Sequence, residues 1–168
     1  NNMVLETKRM TIRDFEPADQ GDLHEILGDP QTMAFSEPPY SPAQTRSFLM
    51  DFCIGRRAAQ AAALKESGKV IGYLLFKPLG RKEWEIGWFF NRRYWRQGLA
   101  FEAGAALVDW AFQELGAQTI TAETADLVKS AGLMQKLGMT PEGRDAAGLA
   151  CYSLSAQDWR RMKKYSSF

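Results

Sequence analysis

The stretch that most constrains this chain is Glu85–Ala103, which reads Glu-Ile-Gly-Trp-Phe-Phe-Asn-Arg-Arg-Tyr-Trp-Arg-Gln-Gly-Leu-Ala-Phe-Glu-Ala. It begins as an apolar, aromatic strand, passes through a basic turn from Arg92 to Gln97, and becomes a helix at Gly98. A turn feeding a helix N-terminus gathers backbone N–H groups with no intrahelical partner, and the helix dipole adds partial positive charge. Gly98 and Ala100 leave that backbone open to close approach, and Arg92, Arg93 and Arg96 surround it with full charge. The expected occupant is a phosphate or pyrophosphate with an apolar wall on the strand side. The glycine spacing is neither the dinucleotide fingerprint nor a P-loop. Simple packing of small residues is the competing explanation.

The rest of the chain narrows the setting. Its 168 residues suggest a single domain over residues 1–168. A net charge of +1, from 21 basic and 20 acidic residues, argues against a nucleic-acid partner. No apolar run approaches a membrane span and no signal-peptide pattern opens the sequence, so a cytoplasmic location and no membrane partner are expected. Cys53 and Cys151 read as free, buried thiols. The single histidine, His24, leaves no His-rich metal site, and it is expected on a helix surface; no metal is expected.

Periodicity gives the element order. Met3–Phe15 reads as one strand with a bulge, and a helix carrying Leu23, Ile26 and Leu27 stops at Gly28. Asp29–Tyr40 is a loop, and Ser41-Pro42-Ala43-Gln44 is a capping box opening a helix to about Arg56. Ala58–Lys65, Val70–Phe76 and Glu83–Phe90 are strands, the second apolar on both faces and so central. A helix from Gly98 to Gly116, a strand Thr119–Thr124, a helix from Asp126 to Leu137, a hairpin over residues 139–154 and a terminal helix begun by Ser155 complete the chain. This order predicts a mixed α/β (α+β type) layer fold with helices on both faces of a twisted central sheet.

The run Tyr94-Trp95-Arg96-Gln97-Gly98-Leu99-Ala100-Phe101-Glu102-Ala103 resembles the pyrophosphate loop of the GNAT N-acetyltransferases. It is most similar to the ribosomal-protein N-acetyltransferase (RimJ/RimL-like) branch, which typically reads Tyr-Trp-Gly-Lys-Gly-Tyr-Ala-Thr-Glu-Ala. Trp95 stands where many family members have Gln or Arg. The opening strand and Ser130 with Lys136-Leu137-Gly138-Met139 extend the likeness over nearly the whole chain. The resemblance implies a mostly antiparallel sheet splayed to form a CoA cleft. It implies transfer of acetyl from acetyl-CoA to a primary amine, either a protein N-terminus or a small amine, by direct attack in a ternary complex. A non-catalytic acyl-CoA-binding module, acting as sensor or interaction domain, is the alternative, and a homodimer is left open.

On that likeness the cofactor would be held by Phe89, Phe90, Arg93, Arg96, Gln97, Gly98, Leu99, Ala100 and Ser130. A backbone N–H near Phe89 or Phe90 would stabilise the oxyanion, one such donor contributing about 3 kcal/mol. Glu85 is the first choice for the base that deprotonates the amine, directly or through water, with Glu83 second on the same strand face. Glu102 reads as structural. Ser130 is the remaining catalytic candidate, because Met134 replaces the tyrosine that many members use as acid, and Leu127 replaces the family's asparagine.

Overall fold

A computed structural model describes residues 4–126 and 129–164. Its strands lie side by side in chain order in an open, mostly antiparallel sheet, except that the last two exchange places. The chain packs as two compact units, Asn1–Leu75 with Trp88–Ala106, and Phe76–Gly87 with Leu107–Phe168.

In the first unit, β1 (Leu5–Glu6) and β2 (Met10–Asp14) are separate strands. They pair with each other antiparallel, Leu5 opposite Ile12 and Glu6 opposite Thr11, so the single bulged strand expected over Met3–Phe15 is a hairpin that reverses at Thr7–Arg9. The Thr7 backbone N–H donates to the Met10 carbonyl at 2.9 Å, and the Thr7 hydroxyl accepts from the Met10 N–H at 2.9 Å. These bonds close the turn of the hairpin. β2 pairs antiparallel with β3 (Ala59–Leu64), which pairs with β4 (Val70–Gly80) through a register shift at Ala62/Ala63. Residues 59–63 are all buried, so both faces of β3 are covered. On one face α1 (Gln20–Leu27) and its neighbours contribute Leu23, Ile26, Leu27, Leu49 and Cys53 against Ala59, Ala61, Ala63 and Tyr73.

The capping box forms as read: Ser41 and Gln44 exchange side-chain bonds with each other's backbone, with Pro42 in the first turn of α2 (Pro42–Ser47). The helix does not stay α-helical to Arg56, however. It widens into a π-helix at Phe48–Gly55, ending with the Arg56 N–H on the Asp51 carbonyl at 3.1 Å. Leu49 and Cys53 point into the core, and Phe48 stacks on Phe52 with ring centroids 4.9 Å apart.

In the second unit, β6 (Thr119–Thr124) pairs antiparallel with β8 (Ala150–Ser155), and β8 with β7 (Thr140–Arg144). α4 (Lys129–Lys136) buries Ala131 and Met134, which accounts for a methionine at that position as packing. α5 (Ala156–Lys164) begins where Ser155 Oγ accepts from the Asp158 N–H at 3.0 Å. It seats Trp159 on Phe112, with ring centroids 5.2 Å apart. Leu127 lies outside the described residues.

β5 (Glu83–Phe90) has the boundaries expected for it. It runs parallel to β6 only over Glu83↔Thr119, Trp84↔Ile120 and Glu85↔Thr121, although β5 continues to Phe90 and β6 to Thr124. Pairing therefore stops at Glu85, and the backbone of β5 beyond it has no partner in that ladder.

Candidate active site

After Phe90 the chain turns through a 3-10 segment, Arg92–Tyr94, and enters α3 (Leu99–Glu114). The turn is held from within. Asn91 is 3% exposed; its side-chain oxygen accepts from the Arg93 N–H at 3.0 Å and its amide donates to Glu25 at 3.2 Å. Trp95 Nε1 donates to the Phe90 carbonyl at 2.8 Å, folding the loop back on the end of its own strand. Phe90 is in turn fixed by a missing side chain: a Cβ on Gly72 would lie 2.6 Å from its ring.

Between Trp95 and α3 the backbone takes two left-handed residues, Arg96 at φ +64° and Gly98 at φ +77°. Such conformations turn successive N–H groups the same way, and here they run into a helix N-terminus. The Gly98 carbonyl accepts the Glu102 N–H at 3.0 Å, the first bond of α3. Arg93, Arg96, Gln97 and Gly98 are exposed, Ala100 is half-buried, and Leu99 is buried, so Leu99 can offer a ligand its backbone only. A polar cavity of about 280 Å³ adjoins the start of this turn, between Asn91–Arg93 and the end of α1 at His24, Glu25 and Asp29. Arg92 Nε binds Asp29 at 3.1 Å there. Burial would raise the Asp29 pKa, but bonds from Thr32 and Arg92 outweigh it and hold it below its ordinary value. His24 is half-buried, with Nδ1 2.7 Å from the Thr45 hydroxyl, rather than free on the helix surface.

The other candidates lie in the second unit or at its boundary. Glu85 is half-buried at the last paired position of β5. Its partner is Thr121, and Glu123 lies two residues further along β6, so the two acids project from the same sheet face. Glu123 pairs across to Cys151. Glu123, Asp145 and Cys151 bring one donor atom each within 4.8 Å of one another. Burial, then the Glu85 charge, then the Asp145 carboxylate push the Glu123 pKa up. Burial and the charges of Asp145 and Glu123 also raise the Cys151 thiol, which keeps its proton and is a poor metal ligand in that state. Cys151 is half-buried, not buried as expected, while Cys53 is 1% exposed and pushed up to about 12 by burial. Ser130 is half-buried at the second position of α4. Phe89 stacks on Tyr73, with ring centroids 5.2 Å apart, and Phe90 is 4% exposed.

The acid face of β6 was missed by motif reading, because Glu123 belongs to no motif. Its alternation with Thr121, in register with Glu85, was the available signal. Trp95 stands in sequence where many family members have Gln or Arg, and the fold shows its indole N–H holding the loop to the end of β5.

The mostly antiparallel open sheet, in which β5 and β6 run parallel and stop pairing at Glu85, leads through the left-handed loop into α3. The description "Acetyltransferase (GNAT) domain" matches residues 9–140, and the chain belongs to the GNAT acetyltransferase family. It is 30% identical to an uncharacterized N-acetyltransferase, YnaD, of Bacillus subtilis (strain 168), over 84% of this chain and 85% of YnaD. A GNAT-family acetyltransferase from Bacillus anthracis superposes with a TM-score of 0.85 at 26% identity, covering 92% of this chain and 99% of that one. A ribosomal-protein-S5-alanine acetyltransferase from Vibrio fischeri shares the fold, with a TM-score of 0.74 at 18% identity, over 94% of this chain and 98% of that one.

Proposed function

We propose that this acetyltransferase moves an acetyl group from acetyl-CoA to a primary amine, on a protein N-terminus or a small molecule, by direct attack. The observation that carries the reading is the Arg96–Ala100 backbone, with Arg96 and Gly98 both left-handed and exposed at the head of α3. That loop fits a pyrophosphate: it offers convergent N–H donors, a helix N-terminus, and the charges of Arg93 and Arg96. When bound, acetyl-CoA supplies the activated acyl group as a thioester.

This chain's residues then have separable tasks. The loop anchors the anionic end of the cofactor. On the edge where β5 no longer pairs with β6, the stretch ending in Phe89 and Phe90 would offer backbone groups to the amides of the pantetheine arm and a donor for the oxyanion. Glu85, where pairing ends, takes the proton from the attacking amine, directly or through water. An α-amine has a pKa near 8 against about 10.4 for lysine, so a free N-terminus needs the smaller assistance. Glu85, Glu123 and Asp145 together give that sheet face a negative field, which suits an acceptor arriving as an ammonium ion. Ser130 is proposed as a secondary polar group toward the cofactor.

The test is thiol release from acetyl-CoA across a panel of N-terminal peptides and small amines. Release that depends on an added amine supports the reading. Tight acetyl-CoA binding with no release on any amine would favour a binding module instead.

A further inference from the structure

We propose that Arg9 and Glu102 are a positioning pair that sets the Arg96–Gly98 loop for cofactor binding, a role resting on the reading of that loop as the pyrophosphate site. Glu102 is the residue whose N–H closes the first turn of α3 on the Gly98 carbonyl, at 3.0 Å. Its carboxylate reaches to the hairpin turn between β1 and β2. There it accepts from the Thr7 hydroxyl at 2.6 Å, the Arg9 backbone N–H at 2.9 Å and Arg9 Nε at 2.8 Å. One side chain thus ties the helix start to a segment more than ninety residues earlier. The Arg9 guanidinium continues toward the loop, with Nη2 3.6 Å from where a Cβ on Gly98 would stand.

The loop needs such a hold. Arg96 at φ +64° occupies a backbone region that side-chain-bearing residues seldom adopt, and it persists only where its surroundings over-determine it. Upstream the constraint is Trp95 on the Phe90 carbonyl. Downstream it is Glu102, gripped by Thr7 and Arg9. Releasing the downstream end lets the loop sample other conformers, and apparent affinity falls in proportion to the competent fraction. The acid face of β5 and β6 is not part of this grip, so the chemical step should be spared.

The experiment compares Arg9→Met, Arg9→Lys and Glu102→Gln in the full chain. Acetyl-CoA binding is measured by calorimetry, amine-dependent thiol release by steady-state kinetics, and Tm by melting. Arg9→Met and Glu102→Gln should raise Kd and KM for acetyl-CoA about tenfold or more, the scale of one charge-assisted bond, with kcat within about twofold. Arg9→Lys, which keeps the positive charge beside Glu102, should recover part of the loss. A lowered Tm with Kd and KM at wild-type values would overturn the pair's role and leave a plain structural tie. A fall in kcat at unchanged KM would overturn it equally. If Glu102→Gln does not fold, the Met and Lys variants of Arg9 decide. Absence of acetyl-CoA binding by the wild-type protein would overturn the loop reading and the pair together, whereas binding equal in wild type and variants would overturn the pair alone.

Discussion

The indole of Trp95 donates to the carbonyl of Phe90 at 2.8 Å, and so the loop that enters α3 is bolted to the last residue of β5. Strand end and loop become one unit, and the position of the loop backbone depends on the Trp95 indole. Trp95→Phe should keep the ring and lose the bond. Leaving a partly buried carbonyl unpaired costs about 1–3 kcal/mol. The expected result is a lower Tm together with weaker acetyl-CoA binding, read by melting and calorimetry. A variant with wild-type Kd would show that this bond does not set the loop.

Gly98 matters through its backbone, not through crowding. A Cβ there would make only ordinary contact with Arg9, at 3.6 Å, yet φ is +77°. Gly98→Ala should therefore cost about 1–2 kcal/mol in strain and weaken acetyl-CoA binding. Gly98→Val, being β-branched, should do more of both. Gly80→Ala is the control, since a Cβ there meets nothing within 4 Å and no left-handed φ is required. Equal binding by Gly98→Ala and Gly80→Ala would remove Gly98 from the site.

Gly72 is the opposite case. A Cβ there would stand 2.6 Å from the Phe90 ring, so Gly72→Ala must push Phe90 or separate the strands. Overpacking of this kind costs about 1–3 kcal/mol. Melting should show the loss, and Gly72→Ala with Phe90→Leu should regain part of it if the clash is the cause.

The acid pair gives a titration test. Glu85→Gln should slow acetyl transfer and alter the low-pH limb of the rate profile, with little change in cofactor affinity. Because the Glu85 charge helps to raise Glu123, the same variant should lower the Glu123 pKa, observable by side-chain NMR. A wild-type rate profile would move the base role to Glu83 or to water.

Glu102 titrates the other way. Burial would raise it, but bonds from Thr7 and Arg9 outweigh burial and hold it below 4.5. Its contribution to stability is present above that value and is lost as pH falls through the lowered folded-state pKa. Glu102→Gln should therefore flatten part of the acid-side loss of stability. Glu25, lowered by its bond from Lys69, and Asp29 keep the remainder in place.

Much of this was legible in the sequence where one local rule decides. The Ser41 capping box, the bounds of β5 and the core strand starting at Val70 each follow from a few adjacent residues. The strand-to-helix turn was readable because Gly98, left-handed at φ +77°, stands between an apolar strand pattern and a helical one. What was hidden depends on distant partners. The hairpin turn at Thr7–Arg9 is also held by Glu102, a contact across more than ninety residues that no local spacing reveals. The π-helix at Phe48–Gly55 has no local sequence signal ahead of Gly55, its last residue, and it buries Leu49 and Cys53. The Glu85–Glu123 face needed the β5–β6 register, which spacing along one strand does not give.

The most direct test of the cofactor site is to follow backbone amide resonances of the ¹⁵N-labelled protein during titration with coenzyme A and, separately, with pantetheine, which lacks the pyrophosphate. The amides of Gly98, Leu99 and Ala100 should shift and saturate with coenzyme A and stay in place with pantetheine. Amides of the loop that remain unmoved by coenzyme A, or that respond equally to pantetheine, would contradict the assignment of this loop as the pyrophosphate site.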